Sequence, residues 1–276
     1  MASFSNINAL IIDMDGVLWQ GNKPLPGLND FFRTLRALRL PFILATNNAS
    51  LTADQYIDKL EALGVTVGPS EVLTSGMATA QYLASRYEPT STRVYVIGES
   101  GAKIPLQQQG FILTDHDHTN ADIVVSGLDK SLSWDKLATA ALNIRAGAHF
   151  VGTNGDVTLP TERGFVPGNG ATLAALEAAT GIKPTLIGKP EPIMYQQAMA
   201  ILSTPAAETI AIGDRLDTDI LGAVRADMRS LMVLSGISSE QDIENVDYQP
   251  TWVMSDIREV TKMLKNRGNY SGSCSL

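Results

Sequence analysis

The sequence predicts an α/β fold built on parallel β-sheets. Short apolar runs alternate with segments of helical periodicity along nearly the whole chain, which is the order of strands joined by crossover helices. The apolar runs are continuous rather than alternating, as in strands that are buried on both faces of a sheet. The chain has 276 residues, of which 44% are hydrophobic, so it can build one large domain or two smaller ones.

The first third of the chain contains well-marked elements. Strands are predicted in the segments NALIID and LPFILATNN, and helices over residues 28–38, 52–64 and 76–86. Thr52 is placed to cap the second of these helices, and Gly64 is placed to end it.

The rest of the chain continues the alternation. Strands are predicted in the segments RVYVIG, ADIVVSGL, HFVGTN, ETIAIGD, RSLMVLSG and TWVMSD. Helices are predicted in SWDKLATAALNIRAG, GATLAALEAATG, DTDILGAVRAD and IREVTKMLKN, the first of them capped by Ser133. We interpret the three histidines, His116, His118 and His149, as ordinary surface or core residues, because no metal-ligand pairing with carboxylates is apparent.

Composition limits the classes of partner and compartment. The net charge is −8 with a pI near 4.9 and no basic stripe, so we expect neither nucleic acid nor an anionic membrane as a partner. The single cysteine, Cys274, excludes an intrachain disulfide and a cysteine metal site, which fits a reducing compartment. Without a secretory signal or a bilayer-length apolar run, we expect a soluble cytoplasmic protein.

The most informative segment is NALIIDMDGVLWQG, residues 8–21. Its apolar run ends in two aspartates one residue apart, Asp13 and Asp15. Side chains at i and i+2 of a strand share a face, so both are expected to point at whatever lies beyond the strand's end. Two carboxylates at the end of a buried strand repel each other unless a cation or a proton joins them. An Asx-rich turn is the alternative. Trp19, just beyond, either packs in the core or lies near a hinge.

Three further strand ends carry polar residues of the types that phosphoryl chemistry needs. They are Thr46 and Asn47 in ATNN, Lys189 in GKPEP, and the aspartates of AIGDRLDTDI, Asp214, Asp217 and Asp219. Each alone is also compatible with a turn, a surface charge or an acidic helix start. Together, each after an apolar strand, they predict one crevice at the carboxyl ends of a parallel sheet.

Phosphoryl transfer explains why these residue types occur together. A carboxylate that attacks an anionic phosphate ester needs a hard cation such as Mg2+, for which Asp13 and Asp214 are natural ligands. Lys189 adds fixed positive charge, and Thr46 and Asn47 offer hydrogen-bond donors to phosphate oxygens. One aspartate can attack phosphorus while a second exchanges the proton.

These motifs resemble the haloacid dehalogenase-like phosphatase superfamily, in the branch of the NagD-type, p-nitrophenyl phosphatase-type and phosphoglycolate phosphatase-type enzymes (subfamily IIA). DMDGVLW is similar to the nucleophile motif, TNN to the second motif, GKPEP to the lysine motif and GDRLDTDI to the metal motif. Residues 152–171, GTNGDVTLPTERGFVPGNGA, are similar to a cap segment of the same branch. The resemblance covers nearly the whole chain.

The resemblance implies a role for each matching residue. Asp13 would be the nucleophile and a ligand of Mg2+, and Asp15 the general acid and base, with its backbone carbonyl on the metal. Asp214 would ligate Mg2+ directly, with Asp219 supporting it, whereas Asp217 is interpreted as a helix-start residue. The residues expected to bind phosphate or substrate are Thr46, Asn47, Asn48 and Lys189, with Asn154 and Asp156 from the cap. An ordinary Asx turn is the alternative for the last two.

The resemblance also implies an architecture. A doubly wound, Rossmann-like core would comprise residues 1–79 and 185–267, an α/β cap of the C2 type residues 80–184, and a flexible tail residues 268–276. The cap has Gly155 where relatives often have proline. A cap of this size favours a small phosphorylated metabolite as substrate, and relatives suggest a homodimer through the cap.

The expected function is a Mg2+-dependent phosphatase that hydrolyses small phosphomonoesters through an aspartyl-phosphate. A phosphomutase or phosphotransferase using the same site is the main alternative. A receiver-like signalling domain lacks the second acid and needs no such insert. A dinucleotide-binding protein, suggested by GESG at residues 98–101, lacks the full glycine fingerprint.

Overall fold

The computed structural model describes residues 6–115, 120–161 and 163–270 and confirms the α/β class. The strands are β1 Ala9–Ile12, β2 Trp19–Gln20, β3 Lys23–Pro24, β4 Phe42–Thr46, β5 Val72–Thr74, β6 Arg93–Ile97, β7 Ile112–Thr114, β8 Ile123–Ser126, β9 His149–Gly152, β10 Thr158–Thr161, β11 Gly164–Pro167, β12 Thr185–Leu186, β13 Thr209–Gly213, β14 Arg229–Val233 and β15 Trp252–Met254. The helices are α1 Leu28–Ala37, α2 Ala53–Ala62, α3 Ser75–Ala84, α4 Ser100–Gln108, α5 Trp134–Arg145, α6 Asn169–Thr180, α7 Pro192–Leu202, α8 Leu221–Arg225, α9 Glu240–Ile243 and α10 Ile257–Tyr270.

The chain divides into two compact units. The first comprises residues 1–45, 57–72 and 195–276, and the second comprises residues 46–56 and 73–194. These limits differ from the predicted core and cap boundaries, which stay a prediction. Helix α10 extends to Tyr270, so its end overlaps the segment predicted as a tail, and residues 271–276 lie outside the described residues.

The first unit is built on the sheet with strand order β15-β14-β13-β1-β4-β5. Strand β1 pairs in parallel with both β13 and β4, and β13 continues in parallel to β14 and β15. All residues of β1, β4 and β13 are buried, as predicted for strands covered on both faces. Helix α1 buries the face formed by Leu28, Phe31, Phe32 and Leu35, and it packs against α10.

The second unit contains a five-stranded parallel sheet with the order β12-β9-β8-β6-β7 and an antiparallel hairpin of β10 and β11. Its core joins β6, β8 and β9 to α5 and α6 through residues such as Val124, Ile144, Phe150 and Leu176. Helix α5 begins as predicted, because the Ser133 side chain accepts a hydrogen bond from the Lys136 N–H.

Several elements were not predicted from the sequence. They are the hairpins β2–β3 and β10–β11, strands β5 and β7, and helices α4, α7 and α9. Strand β7 is only partly buried and α4 contains Pro105, so neither shows a clear apolar period. His116, His118 and Cys274 lie outside the described residues. Among the described residues, the helices are too short or too polar to cross a membrane.

Candidate active site

A cluster of carboxylates lies at the carboxyl ends of two neighbouring strands in the first unit. Asp13 follows β1, and Asp214 follows β13, which pairs with β1 residue for residue from Ala9 to Ile12. Asp13, Asp214 and Asp219 each present a carboxylate oxygen, and these oxygens all lie within 4.8 Å of one another. Asp214 and Asp219 are each only 2% exposed. Buried carboxylates at this separation repel one another strongly, so the cluster is suited to a cation.

Asp214 is held by the loop after β14, residues 235–238, which the sequence analysis did not identify. The Ile237 N–H donates to Asp214 Oδ2 over 2.8 Å, and the Ser238 N–H donates to the Asp214 carbonyl over 3.1 Å. A Cβ at Gly236, or at Gly16 in the loop after β1, would overlap the Asp214 carboxylate. Gly236, two residues after the apolar run that ends at Leu234, was the available signal, since glycine permits close backbone approach.

Asp219 lies in a wide helical turn, residues 216–220, that precedes α8. The Arg215 N–H donates to Asp219 Oδ2 over 3.1 Å, and the Tyr195 hydroxyl donates to the Asp219 carbonyl over 3.0 Å. Asp217, in the same turn, is exposed and instead accepts two hydrogen bonds from the Arg215 guanidinium. The turn therefore directs one aspartate into the cluster and the other towards solvent.

Asp15 is not among the three described carboxylates that form the cluster, and its carboxyl is engaged within the loop after β1. Gly16 adopts a left-handed φ of 81°, and the Leu18 N–H donates to the Met14 carbonyl over 2.8 Å. The Asp15 carboxyl is exposed, and its Oδ1 accepts a hydrogen bond of 2.8 Å from Trp19 Nε1. Asp13 and Asp15 thus do not share a strand face, because β1 ends at Ile12 and the chain coils after Asp13.

This loop is also tied to the loop that holds Asp214. The Ser235 hydroxyl donates to the Gly16 carbonyl, and Gln20 Nε2 donates to the Ser235 carbonyl, each over 2.7 Å. The loops after β1 and β14 are therefore one hydrogen-bonded framework around Asp214.

A second group of predicted site residues meets at Asn47 within the second unit. The Asn47 carbonyl accepts hydrogen bonds from the Ser75 hydroxyl and, over 2.7 Å, from Asn154 Nδ2. Asn47 Nδ2 donates to the Lys189 carbonyl over 2.8 Å and to Asp156 Oδ2 over 3.2 Å. Four of the predicted binding residues, which are far apart in the chain, are thereby connected.

The Asn47 amide has one oxygen whose hydrogen-bonding capacity is unused within the described protein. Asn47 Oδ1 is buried without a hydrogen-bond partner among these residues. A Cβ at Gly188 would lie 2.6 Å from this oxygen and 2.7 Å from the Thr153 carbonyl, so only glycine fits beside it. Lys189, the next residue, is 3% exposed. Such an acceptor in a polar cluster favours a ligand or water that donates a hydrogen bond.

Thr46 and Asn48 shape the turn on either side of Asn47. The buried Thr46 hydroxyl accepts a hydrogen bond from the Asn48 N–H over 3.1 Å. Asn48 Oδ1 accepts from both the N–H and the hydroxyl of Ser50. The side chain of Asn48 thus stabilises the turn, as the alternative interpretation of TNN expects.

Asn154 forms the Asx turn and also reaches the group around Asn47, while its contact with substrate stays a prediction. Its Oδ1 accepts a hydrogen bond from the Asp156 N–H over 3.2 Å, which is an Asx turn, while its Nδ2 reaches Asn47. Its own carbonyl accepts from Asn169 at the start of α6. The turn is therefore anchored to the rest of the polar group.

The GESG segment serves helix packing. Gly101, in the first turn of α4, lies so close to the backbone of Ala49 and Leu51 that a Cβ would overlap their carbonyl oxygens. Its N–H donates to the Ser50 carbonyl. This close approach accounts for the glycine at position 101, so no bound nucleotide is needed to explain it.

Comparison with known proteins places the chain in a family. The model of the haloacid dehalogenase-like hydrolases matches residues 10–112, and a second model described as HAD-hydrolase-like matches residues 186–260. An acid sugar phosphatase of Staphylococcus saprophyticus is 37% identical over 94% of this chain and 99% of its own length. The 5′-nucleotidase YutF of Bacillus subtilis is 38% identical over 90% of this chain and 95% of its own length.

Solved structures agree with this relationship. NagD from Escherichia coli K-12 has a TM-score of 0.85 at 36% identity and covers 92% of this chain and 98% of its own. A glycerol phosphate phosphatase from Mycobacterium tuberculosis, in complex with magnesium, has a TM-score of 0.86 at 38% identity over 94% of this chain and 78% of its own. The chain therefore belongs to the haloacid dehalogenase-like hydrolases, in the subfamily IIA branch that includes NagD, and it is a phosphoric monoester hydrolase.

Proposed function

We propose that the enzyme is a Mg2+-dependent phosphatase that hydrolyses small phosphomonoesters through an aspartyl-phosphate on Asp13. The observation that carries this proposal is the clustering of Asp13 with Asp214 and Asp219 at the carboxyl end of β1 and β13. Ligands of open α/β sheets bind at this end of the strands. The position therefore suits a carboxylate that acts on a bound substrate.

The donor set fits magnesium. All three clustered side chains offer carboxylate oxygens, the ligand type that Mg2+ prefers, and Asp15 is proposed to add its backbone carbonyl. When bound, the ion would neutralise the carboxylates and the phosphate ester, which lowers the repulsion between nucleophile and substrate. The glycerol phosphate phosphatase that resembles this chain was solved with magnesium.

Asp13 and Asp15 would divide the chemistry between them. An Asp13 carboxylate oxygen forms a bond to phosphorus while the bond from phosphorus to the ester oxygen breaks, and Asp15 gives its proton to that oxygen. A water then attacks phosphorus, Asp15 takes a proton from it, and the bond to Asp13 breaks to release phosphate. The exposure of Asp15 and its place two residues from Asp13 support this division.

The polar group around Asn47 is proposed to bind the phosphoryl group. The charge of Lys189 would offset that of phosphate, and Thr46 and Asn47 would donate hydrogen bonds to its oxygens. Asn48 would contribute through backbone, since its side chain is engaged with Ser50. Asn154 and Asp156 are proposed to contact the substrate beyond the phosphate.

The substrate is proposed to be a small metabolite such as a sugar or polyol phosphate. The acid sugar phosphatase and the glycerol phosphate phosphatase that resemble this chain support this class, whereas the similarity to YutF favours a nucleoside monophosphate. Residues 80–184 would act as a cap that excludes water and selects the substrate. Transfer to a second hydroxyl, as in a phosphomutase, is the alternative outcome at the same site.

Two other expectations stay proposals. A cytoplasmic location is supported by the single cysteine. A homodimer through the cap is supported by the resemblance to the family.

Phosphate release from a panel of phosphomonoesters, with Mg2+ and with a chelator, tests the proposal. The panel contains p-nitrophenyl phosphate, sugar phosphates, glycerol phosphate, phosphoglycolate, pyridoxal phosphate and nucleoside monophosphates. We expect Mg2+-dependent release that Asp13→Asn abolishes and Asp217→Asn retains, since Asp217 faces solvent. Activity in Asp13→Asn, or full activity in chelator, would contradict the mechanism, and product phosphorylation of an added alcohol would favour the transferase.

A further inference from the structure

Trp19 makes a contact to the proposed acid and base that the motif does not explain. Its side chain is fully buried, yet its Nε1–H donates to the exposed carboxyl of Asp15 over 2.8 Å. An indole N–H is a donor and never an acceptor, so the carboxyl oxygen accepts in this contact. Asp15 Oδ1 is therefore the acceptor whether or not the carboxyl carries a proton.

The backbone fixes the same pair of residues. The Gly16 N–H donates to the Trp19 carbonyl over 2.7 Å, and Asp15 and Trp19 form an isolated β-bridge. The loop backbone thus holds the two residues beside each other, and packing restrains the buried indole ring.

Lys59 of α2 lies on the Trp19 ring. Its Nζ is 4.1 Å from the ring centroid and donates to the Gly21 carbonyl over 3.0 Å. A cation over an indole face is attracted by the ring quadrupole and polarises the ring. Lys59 therefore restrains the ring from the face and strengthens the N–H as a donor.

We propose that Trp19, held by Lys59, is a positioning residue that presents Asp15 Oδ2 to the reacting oxygen. The inference rests on the proposed acid and base role of Asp15. With Oδ1 occupied by the indole, Oδ2 is the oxygen that gives the proton to the ester oxygen as the phosphorus–oxygen bond breaks, the bonding pair staying on that oxygen. Oδ2 then takes the proton back from the attacking water.

Phenyl phosphate and p-nitrophenyl phosphate test this role, since they have nearly the same shape but leaving groups of different acidity. Phenolate leaves poorly and needs the proton, whereas p-nitrophenolate leaves readily without it. For Trp19→Phe we expect kcat/KM, which reports only the steps up to departure of the leaving group, to fall about tenfold or more on phenyl phosphate and less than about threefold on p-nitrophenyl phosphate. Trp134→Phe, at a tryptophan that is 79% exposed, is the matched control.

A further variant, Lys59→Met, covers the case in which Trp19→Phe does not fold. Lys59→Met removes the cation from the ring face without emptying the core, and we expect the same selective loss at about two- to fivefold. In the Asp15→Asn background, adding Lys59→Met or Trp19→Phe is expected to lower kcat/KM little further. The reason is that the effects of residues that act through one group are not additive.

The outcomes separate this inference from the proposed function. A selective loss in Asp15→Asn that is absent from Trp19→Phe and Lys59→Met would overturn the positioning role alone. Equal losses of kcat/KM on both substrates in Asp15→Asn would overturn the acid role and the positioning role together. A selective loss in all three variants, with none in Trp134→Phe, supports both.

Discussion

The main-chain N–H of Ile237 donates a hydrogen bond to Oδ2 of Asp214 over 2.8 Å. One oxygen of this buried carboxylate is thereby occupied by the backbone, and the carboxylate is held among Asp13 and Asp219. The contact depends on Gly236, which has no room for a side chain beside Asp214. A loop with no charged side chain of its own therefore sets the geometry of the acidic cluster.

We expect Gly236→Ala to weaken Mg2+ binding. Its added methyl group would overlap Asp214 and displace the carboxylate or the loop, at a cost of about 1–3 kcal/mol typical of overpacking. The Mg2+ concentration for half-maximal activity and the Kd from a calorimetric titration would both rise. Gly68→Ala, at a glycine whose Cβ meets only the Glu71 side chain at 3.9 Å, is the control. Unchanged Mg2+ affinity in Gly236→Ala would show that the loop does not position Asp214.

Removal of metal should lower thermal stability through the same cluster. A cation that binds only the folded state stabilises it by RT ln(1 + [L]/Kd), which is about 2.7 kcal/mol at a hundredfold excess over Kd. We expect the melting temperature to rise with Mg2+ and fall in chelator, and the rise to be lost in Asp214→Asn. Asp217→Asn, at an exposed aspartate paired with Arg215, should keep it. An equal Mg2+ effect in both variants would place the ion elsewhere.

Gly188→Ala should weaken phosphate binding. Gly188 lies in the second unit, so we expect the first unit to fold as in the wild type. A Cβ there would press on Asn47 Oδ1 at 2.6 Å and displace an amide that holds the Lys189 carbonyl. Inorganic phosphate, as a competitive inhibitor, would then bind about tenfold or more weakly, in line with the loss of one or two charge-assisted hydrogen bonds. If phosphate inhibits Gly188→Ala with the same inhibition constant as the wild type, the group around Asn47 does not bind phosphate.

His149 should make the protein less stable in mild acid. It lies between the Tyr87 hydroxyl and Thr185, and burial, with the nearby Arg86 cation, holds its pKa below the ordinary value of 6.5. The unfolded chain then binds the proton at higher pH than the folded one, so stability falls as pH drops through 6.5 towards the lower folded-state pKa. Thermal unfolding between pH 7.5 and 5 should show a smaller fall in His149→Gln than in the wild type. Parallel curves for the two proteins would contradict this linkage.

The secondary structure was largely predictable because its signals are local. The spacing of Phe31, Phe32 and Leu35 predicted α1, and Ser133 marked the first turn of α5. The apolar runs of β1, β4 and β13 predicted buried strands, and residues of the predicted site follow each strand, although their roles stay a prediction. Short or partly exposed elements such as β7 were missed, since they lack a period to detect.

The sequence by itself determined which residue types stand at the strand ends, because strand and helix periods, caps and motif spacings are properties of neighbouring residues. Only the tertiary structure decided which atoms meet. The Ser235 hydroxyl reaches the Gly16 carbonyl across 219 positions of the chain, and Asn154 reaches Asn47 across 107. Such contacts depend on strand order and loop conformation, which bring distant residues together and which no local pattern encodes. For the same reason the sequence could mark Trp19 but not show that its indole holds the Asp15 carboxyl.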